Sequence, residues 1–282
     1  MRNSEIKVGY LVSYDYEYMK NSLPTVYEYA DIIAVAIDKD RMTWKGTNYE
    51  IADSFFEWLK EYDKDNKIRI YEDSFFDPDL TVMENDTRER NMLGRFMGEG
   101  GWHIQVDSDE YFLDFKKFTD YLKSLDMIVA TSVFARWVTI FKLDTENAFI
   151  IDNGEKFPVA TNFVSYDNAR LSFNAKKEIN SEFKVIHQSW GRSEDELRQK
   201  LSNWGHSNDF DIESYFRLWK AIDKHTYKYI TNFHPLNGFD WQKLECIEAK
   251  DIPTLIEKVR IIQEEKAGRK KNKWKSLFRR KK

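Results

Sequence analysis

Asp107 and Asp109 lie one residue apart where an apolar run ends, in "GGWHIQVDSDEYF" from Gly100 to Phe112. Alternate residues of a strand face the same side, so two carboxylates at a strand end can converge on one point. Converging carboxylates repel each other unless a cation joins them. Hard oxygen ligands suit Mg2+ or Mn2+, which keep waters and take phosphate oxygens as further ligands. The pattern points to a metal held by Asp107 and Asp109 against a diphosphate, stabilising charge on a departing nucleoside diphosphate. A solvated acidic turn is the plainer reading, because Asp-x-Asp is common by chance.

The elements that must position this pair are legible. "KVGYLVSY" (7–14), "IIAVAID" (32–38), "IRIYE" (68–72) and Trp102–Val106 read as strands. Between them Ile51, Phe55, Trp58, Leu59 and Tyr62 repeat at helical spacing, and Asn85–Met97 reads as a helix stopped by Gly98. Phe115, Phe118, Leu122 and Leu125 give the next helix one apolar face. Strands alternating with helices predict a mostly parallel sheet covered on both faces, with ligands beyond the carboxyl ends of its strands. Asp38 and the Asp107/Asp109 pair both fall at such ends.

From Met127 to Phe163 the pattern shifts to strands with turn signals at 144–147 and 152–154, so an antiparallel extension is expected. Ser193 to Glu196 forms a capping box, and Ile212–Ile222 and Pro253–Glu265 read as two further helices. The expected organisation is one domain over 1–265, with a first half to 125 and a second over 126–265, followed by a tail over 266–282.

The 282 residues include 41% hydrophobic and 33% charged, which suits a folded protein with a sizeable core. No run of about twenty apolar residues is present, and the N-terminal segment has no signal-peptide pattern. Cys246 is the only cysteine, which excludes an internal disulfide and a cysteine zinc site. The formal charge of −4 is an average of unlike parts: ten of the 44 basic residues lie in 266–282, with no acidic ones, leaving 34 against 48 elsewhere, or −14. An acidic body argues against a nucleic-acid binder. In the tail Trp274, Leu277 and Phe278 share a helical face amid Lys and Arg, a pattern suited to an anionic membrane surface. A solvated tail is the other reading.

Taken in order, "KVGYLVSYDYEYMKNSLPTVYEYADIIAVAID", "DTRERNMLGRFMGEGGWHIQVDSDEYF" and "VIHQSWGRSEDELRQKLSNWGH" resemble the GT-A-fold glycosyltransferases related to the family 2 group. The resemblance spans most of Lys7 to His206. It implies a GT-A-like, Rossmann-like α/β fold, a nucleotide-diphosphate sugar donor and a saccharide or lipid-linked acceptor. By the same resemblance Asp107 and Asp109 would hold Mn2+ or Mg2+ and the diphosphate. Asp38 would contact the base or ribose, and Arg88, Arg90 and Asn91 would contact the donor, or else the two arginines form salt bridges with Glu84, Asp86 or Glu89. His187 would complete the metal site, or else be a structural histidine at a strand end. "DKDRMTWKG" after Asp38 departs from the family's usual Ser/Thr-rich turn. His206 is a packing or capping residue before it is a donor contact.

An inverting transfer, the outcome the resemblance implies, needs a carboxylate base. Glu110, Asp144, Asp152 and Glu155 are candidates that the sequence does not separate. Trp137, Phe141, Trp190 and Trp204 either stack on sugar faces or belong to the core. The expectation is therefore a metal-dependent glycosyltransferase of envelope or capsular polysaccharide synthesis, cytoplasmic and peripheral at the inner face of the membrane. A non-catalytic carbohydrate- or membrane-binding protein and a metal-dependent phosphotransfer enzyme are the alternatives.

Overall fold

In the computed structural model, residues 5–203 and 209–279 are described, residues 203 and 267–279 by backbone alone. Four parallel strands open the chain: β1 (Ile6–Leu11), β2 (Ile32–Asp38), β3 (Ile68–Asp73) and β4 (Trp102–Asp107). They lie side by side as β3-β2-β1-β4. β1 is buried at every position and β2 at all but its first, as strands covered on both faces require.

On one face α1 (Met19–Val26), α2 (Asp53–Tyr62) and α4 (Phe115–Ser124) bury Leu23, Phe55, Phe118 and Leu122 against Ile33, Val35 and Ile104. On the other, α3 (Val82–Phe96) packs Leu93 on Leu11, Ala34 and Ala36. α3 starts earlier than its periodicity suggests because Thr81 and Glu84 form a full capping box. The helix comes so close to β1 that a Cβ on Gly9 would meet Leu93 and Met97 at 2.9 Å.

After β4 the chain makes a short strand, β5 (Glu110–Phe112), and then α4. The second half is built on the long β6 (Thr131–Leu143). β7 (Asn147–Ile151) and β8 (Lys156–Thr161) run antiparallel to it, and β8 also closes on β4. β9 (Lys177–His187) takes β6's other edge in parallel and pairs with β5. β10 (Glu245–Glu248) adds to β7, completing ten strands of which β5, β7 and β8 oppose the rest. The mostly parallel sheet with an antiparallel extension is as expected. The turns at 144–147 and 152–154 join the expected strands.

The short β5 and β10 carry too few residues to show a period. α5 (Glu194–Asn203) and α6 (Ile212–Lys220) cover an aromatic core of Phe141, Trp190, Trp219 and Trp241. α7 (Ile252–Arg279) packs Leu255 and Val259 on β6 and β7 and continues beyond the expected end at Glu265. Among the described residues no helix is long and apolar enough to cross a membrane.

The sheet forks at Ser108–Asp109. β4 belongs to the parallel branch, β5 to the branch with β9, and the chain steps from one to the other through this acidic turn. That fork is why an apolar strand ends in carboxylates: backbone pairing changes partner there, and the side chains face the opening between branches.

Candidate functional site

A cavity of about 920 Å³ lies along the fork, bounded by the ends of β1, β2 and β4 and by β6, β8, β9 and α5. Asp107 and Asp109 stand in its wall with Arg90, Arg170, His187 and Lys200.

Each carboxylate is held by fixed cations. Asp107 accepts from Arg90 Nη2 at 3.0 Å and Arg170 Nη2 at 2.6 Å. Asp109 Oδ2 accepts from Arg192 Nη2 at 2.6 Å and Lys200 Nζ at 3.1 Å, with His187 Nε2 at 3.7 Å. Burial opposes ionisation of both acids, but Arg170 and Arg90 hold Asp107 below the usual carboxylate range, and Lys200 and Arg192 hold Asp109 well below it. Burial pushes His187 down to about 4, so its ring is neutral at pH 7.

Glu110 faces the other way. Its oxygens accept from the Trp137 indole, from Arg170 and from the Asp107 amide, and burial raises it to about 7. It fixes the fork from behind.

Two strained turns deliver the arginines. Ala169, with φ +47°, precedes Arg170, and Ser189, with φ +35°, opens the turn that ends at Arg192. Left-handed backbone at such residues costs about 1–2 kcal/mol, a cost met by the contacts it allows. Arg192 Nε donates to the Ser189 carbonyl, closing its own turn. The Arg170 loop is pinned to α3: Asn91 bonds both the amide and carbonyl of Tyr166, and Thr87 Oγ1 accepts from the Ala169 amide.

These bonds correct part of the expected donor site. Asn91 and Arg88 do not line the cavity; they face a smaller depression beside it. Asn91 is spent on the Arg170 loop, and Arg88 donates to the carbonyls of Ser74 and Phe75. Both sit on the flank of α3 turned from the fork, whereas Arg90 faces it and bonds Asp86, Gln105 and Asp107. Asp38 does line the cavity, but its carboxylate accepts from the amides of Asp40, Met42, Phe75 and Phe76, which shapes the wall. Beside it stand Met42, Trp44 and Tyr49, an apolar and aromatic end suited to a flat ring. Trp44 donates to Glu89, which burial raises to about 8.

The cavity wall also holds Trp137, Phe157, Trp190, His234 and Trp241. Trp137 stacks on Phe157 at 4.3 Å. Phe141 is core. Trp204 and His206 lie outside the described residues. The structure separates the four candidate bases. Asp152 is paired with Lys184 at 2.5 Å, Asp144 caps the β6–β7 turn through the Glu146 and Asn147 amides, and Glu110 is enclosed. Glu155 lines the cavity. Burial raises its pKa, countered by the neighbouring Trp241 indole.

The sequence expects Mn2+ or Mg2+ at Asp107, Asp109 and His187, and the folded donor set does not suit one. Four cations already occupy the two carboxylates, and a divalent ion would add charge against them at close range. Among the described residues no group of three or more His, Cys, Asp or Glu side chains is placed to hold a metal ion. Arg170, Arg192 and Lys200, which create this environment, carry no motif signal; Arg192 is visible only as part of "SWGRS".

No protein-family model matches the chain, and no curated protein does. Solved structures do. TarS from S. aureus, residues 1–349, is 12% identical over 77% of this chain and 69% of that one, with a TM-score of 0.41. HddC from Yersinia pseudotuberculosis is 14% identical over 64% and 93%, at 0.30, and its complex with GMP-PN 15% over 68% and 97%, at 0.32. Likenesses this loose carry no weight for the site. The β3-β2-β1-β4 order, the antiparallel β8 beside β4 and the acidic turn after β4 speak for themselves. The fold is GT-A-like.

Proposed function

We infer that this protein is a glycosyltransferase, moving a sugar from a nucleoside-diphosphate donor to a saccharide or lipid-linked acceptor. The observation that carries the reading is the cavity: one continuous space lined by Met42, Trp44 and Tyr49 beside Asp38, by the charged groups of the fork, and by Trp137, Trp190, Trp241 and Glu155. A base and ribose fit the first, a diphosphate the second, and sugar rings the third.

In this reading Glu155 is the general base. The acceptor hydroxyl gives its proton to the Glu155 carboxylate, and the oxygen bonds to the anomeric carbon. The bond from that carbon to the diphosphate oxygen breaks, its electron pair leaving with the nucleoside diphosphate. Inversion follows from attack opposite the leaving group. The basic segment 266–282 would keep the enzyme at an anionic membrane surface, where a lipid-linked acceptor resides.

Calorimetric titration of UDP, GDP, CDP and TDP tests the reading. One of the four should bind in the micromolar to millimolar range and so name the base. If a well-folded sample binds none of them, the nucleotide-sugar assignment is wrong.

A further inference from the structure

The donor's diphosphate brings negative charge into a cavity whose acidic pair is already neutralised, and what answers that charge can be read from the side chains; the inference rests on the nucleotide-sugar reading above. Arg170, Lys200 and Lys45 line the cavity. They come from three separate segments: the loop between β8 and β9, helix α5, and the loop between β2 and α2. Arg170 rests on Asp107 and Glu110 through Nη2 and Nη1, and Lys200 rests on Asp109 through Nζ. Lys45 reaches across to α5, donating to the Ser202 carbonyl at 2.5 Å. A guanidinium carries five N–H donors and an ammonium three, so these anchoring bonds leave donors for a ligand. Arg90 and Arg192 are different. Arg90 spends its nitrogens on Asp86, Gln105 and Asp107, and Arg192 bonds Ser189, Asp15 and Asp109 while standing behind the cavity wall.

We propose that Arg170, Lys200 and Lys45 bind the donor diphosphate directly, without a divalent ion, and that Asp107 and Asp109 are positioning residues that hold Arg170 and Lys200 in place. Charge-assisted bonds from preset cations to phosphate oxygens are strong and cost little reorganisation. When the anomeric carbon–oxygen bond breaks, the electron pair left on the diphosphate is met by these cations. The Asp pair, whose spacing suggests metal ligands, serves instead as the anchor of a fixed positive site.

The test is calorimetry on the full chain with UDP, GDP, CDP, TDP and inorganic pyrophosphate, each in EDTA and in Mn2+. One nucleotide and pyrophosphate should bind in EDTA, and Mn2+ should change the nucleotide's affinity by less than about threefold. Lys200→Gln and Lys45→Gln should each weaken that nucleotide about tenfold or more, and Lys200→Arg should recover most of the loss. Lys200→Gln takes one cation from buried Asp109 and so should melt somewhat lower, whereas Lys200→Arg keeps that charge and Lys45→Gln removes no ion pair of the fork, so these two should melt like the parent. Binding that appears only with Mn2+, and is lost in Asp109→Asn, overturns the proposal while leaving the nucleotide reading intact. Absence of nucleotide binding in both media overturns both. Unchanged affinity in the two glutamine variants overturns the assignment of the cations.

Discussion

Arg170 lies 2.6 Å from Asp107 and 3.0 Å from Glu110, so a single guanidinium spans both sides of the fork that follows β4. Asp107 faces the cavity and Glu110 the interior, and Arg170 locks the two branches of the sheet in register. The loop that supplies it makes its key bonds to α3, so the site's geometry is fixed by three elements distant in sequence.

Arg170→Met should destabilise the protein by roughly 3 kcal/mol, because it leaves Glu110 buried without its charged partner. Adding Glu110→Gln should return a substantial part of that loss, since the orphaned charge is gone. Urea unfolding of both variants measures this. If the double variant is less stable than the single one by a further full increment, the two residues are not coupled.

Glu155→Gln should abolish transfer while leaving nucleotide affinity within about twofold. Burial raises the Glu155 pKa, so the folded protein holds that proton more tightly than the unfolded chain. Ionisation therefore costs stability as pH rises through the folded value, and the Gln variant should melt no lower than wild type at pH 8. In the wild type, the acid limb of turnover should lie above the ordinary glutamate range. A variant with normal turnover would exclude Glu155 as the base.

Glu89 is raised to about 8 by burial and accepts from the indole of Trp44, which lines the cavity. Below about pH 4.5 both folded and unfolded chains hold its proton; between there and about 8 only the folded one does, so stability falls as pH rises. Glu89→Gln should remove that slope, a difference of about 2 kcal/mol or more between pH 5 and 8. Parallel slopes for variant and wild type would show that Glu89 ionises normally.

Gly94 packs against Val164, whose loop carries Arg170; an added Cβ would lie 2.3 Å from Val164 Cγ1. Gly94→Ala should cost about 1–3 kcal/mol by overpacking, more than its gain in helix propensity. It should also weaken nucleotide binding by displacing the Arg170 loop. Val164→Ala on that background should restore binding. Equal loss with and without the second change would show that the contact does not set the loop.

Truncation after Glu265 should release the protein from vesicles containing anionic lipid and leave nucleotide affinity unchanged. Continued co-sedimentation of the truncated chain would place membrane affinity elsewhere in the acidic body.

The sequence by itself determined the parallel half. Its strands are apolar at nearly every position and its helices carry one apolar face, so period and order suffice to state the sheet, its carboxyl-end site and the placement of Asp38, Asp107 and Asp109. Local chemistry likewise announced the turns at 144–147 and 152–154 and the cap at Ser193. What only the tertiary structure decided is the company the carboxylates keep. Arg170, Arg192 and Lys200 arrive from a loop, a strained turn and a helix that no periodicity links to β4, because ion pairing depends on distance in space and leaves no mark on spacing along the chain. The same holds for Glu155. It has the same side chain as any turn glutamate, and only its place in the wall of the cavity, half-buried beside Trp241, distinguishes it from Asp144 and Asp152.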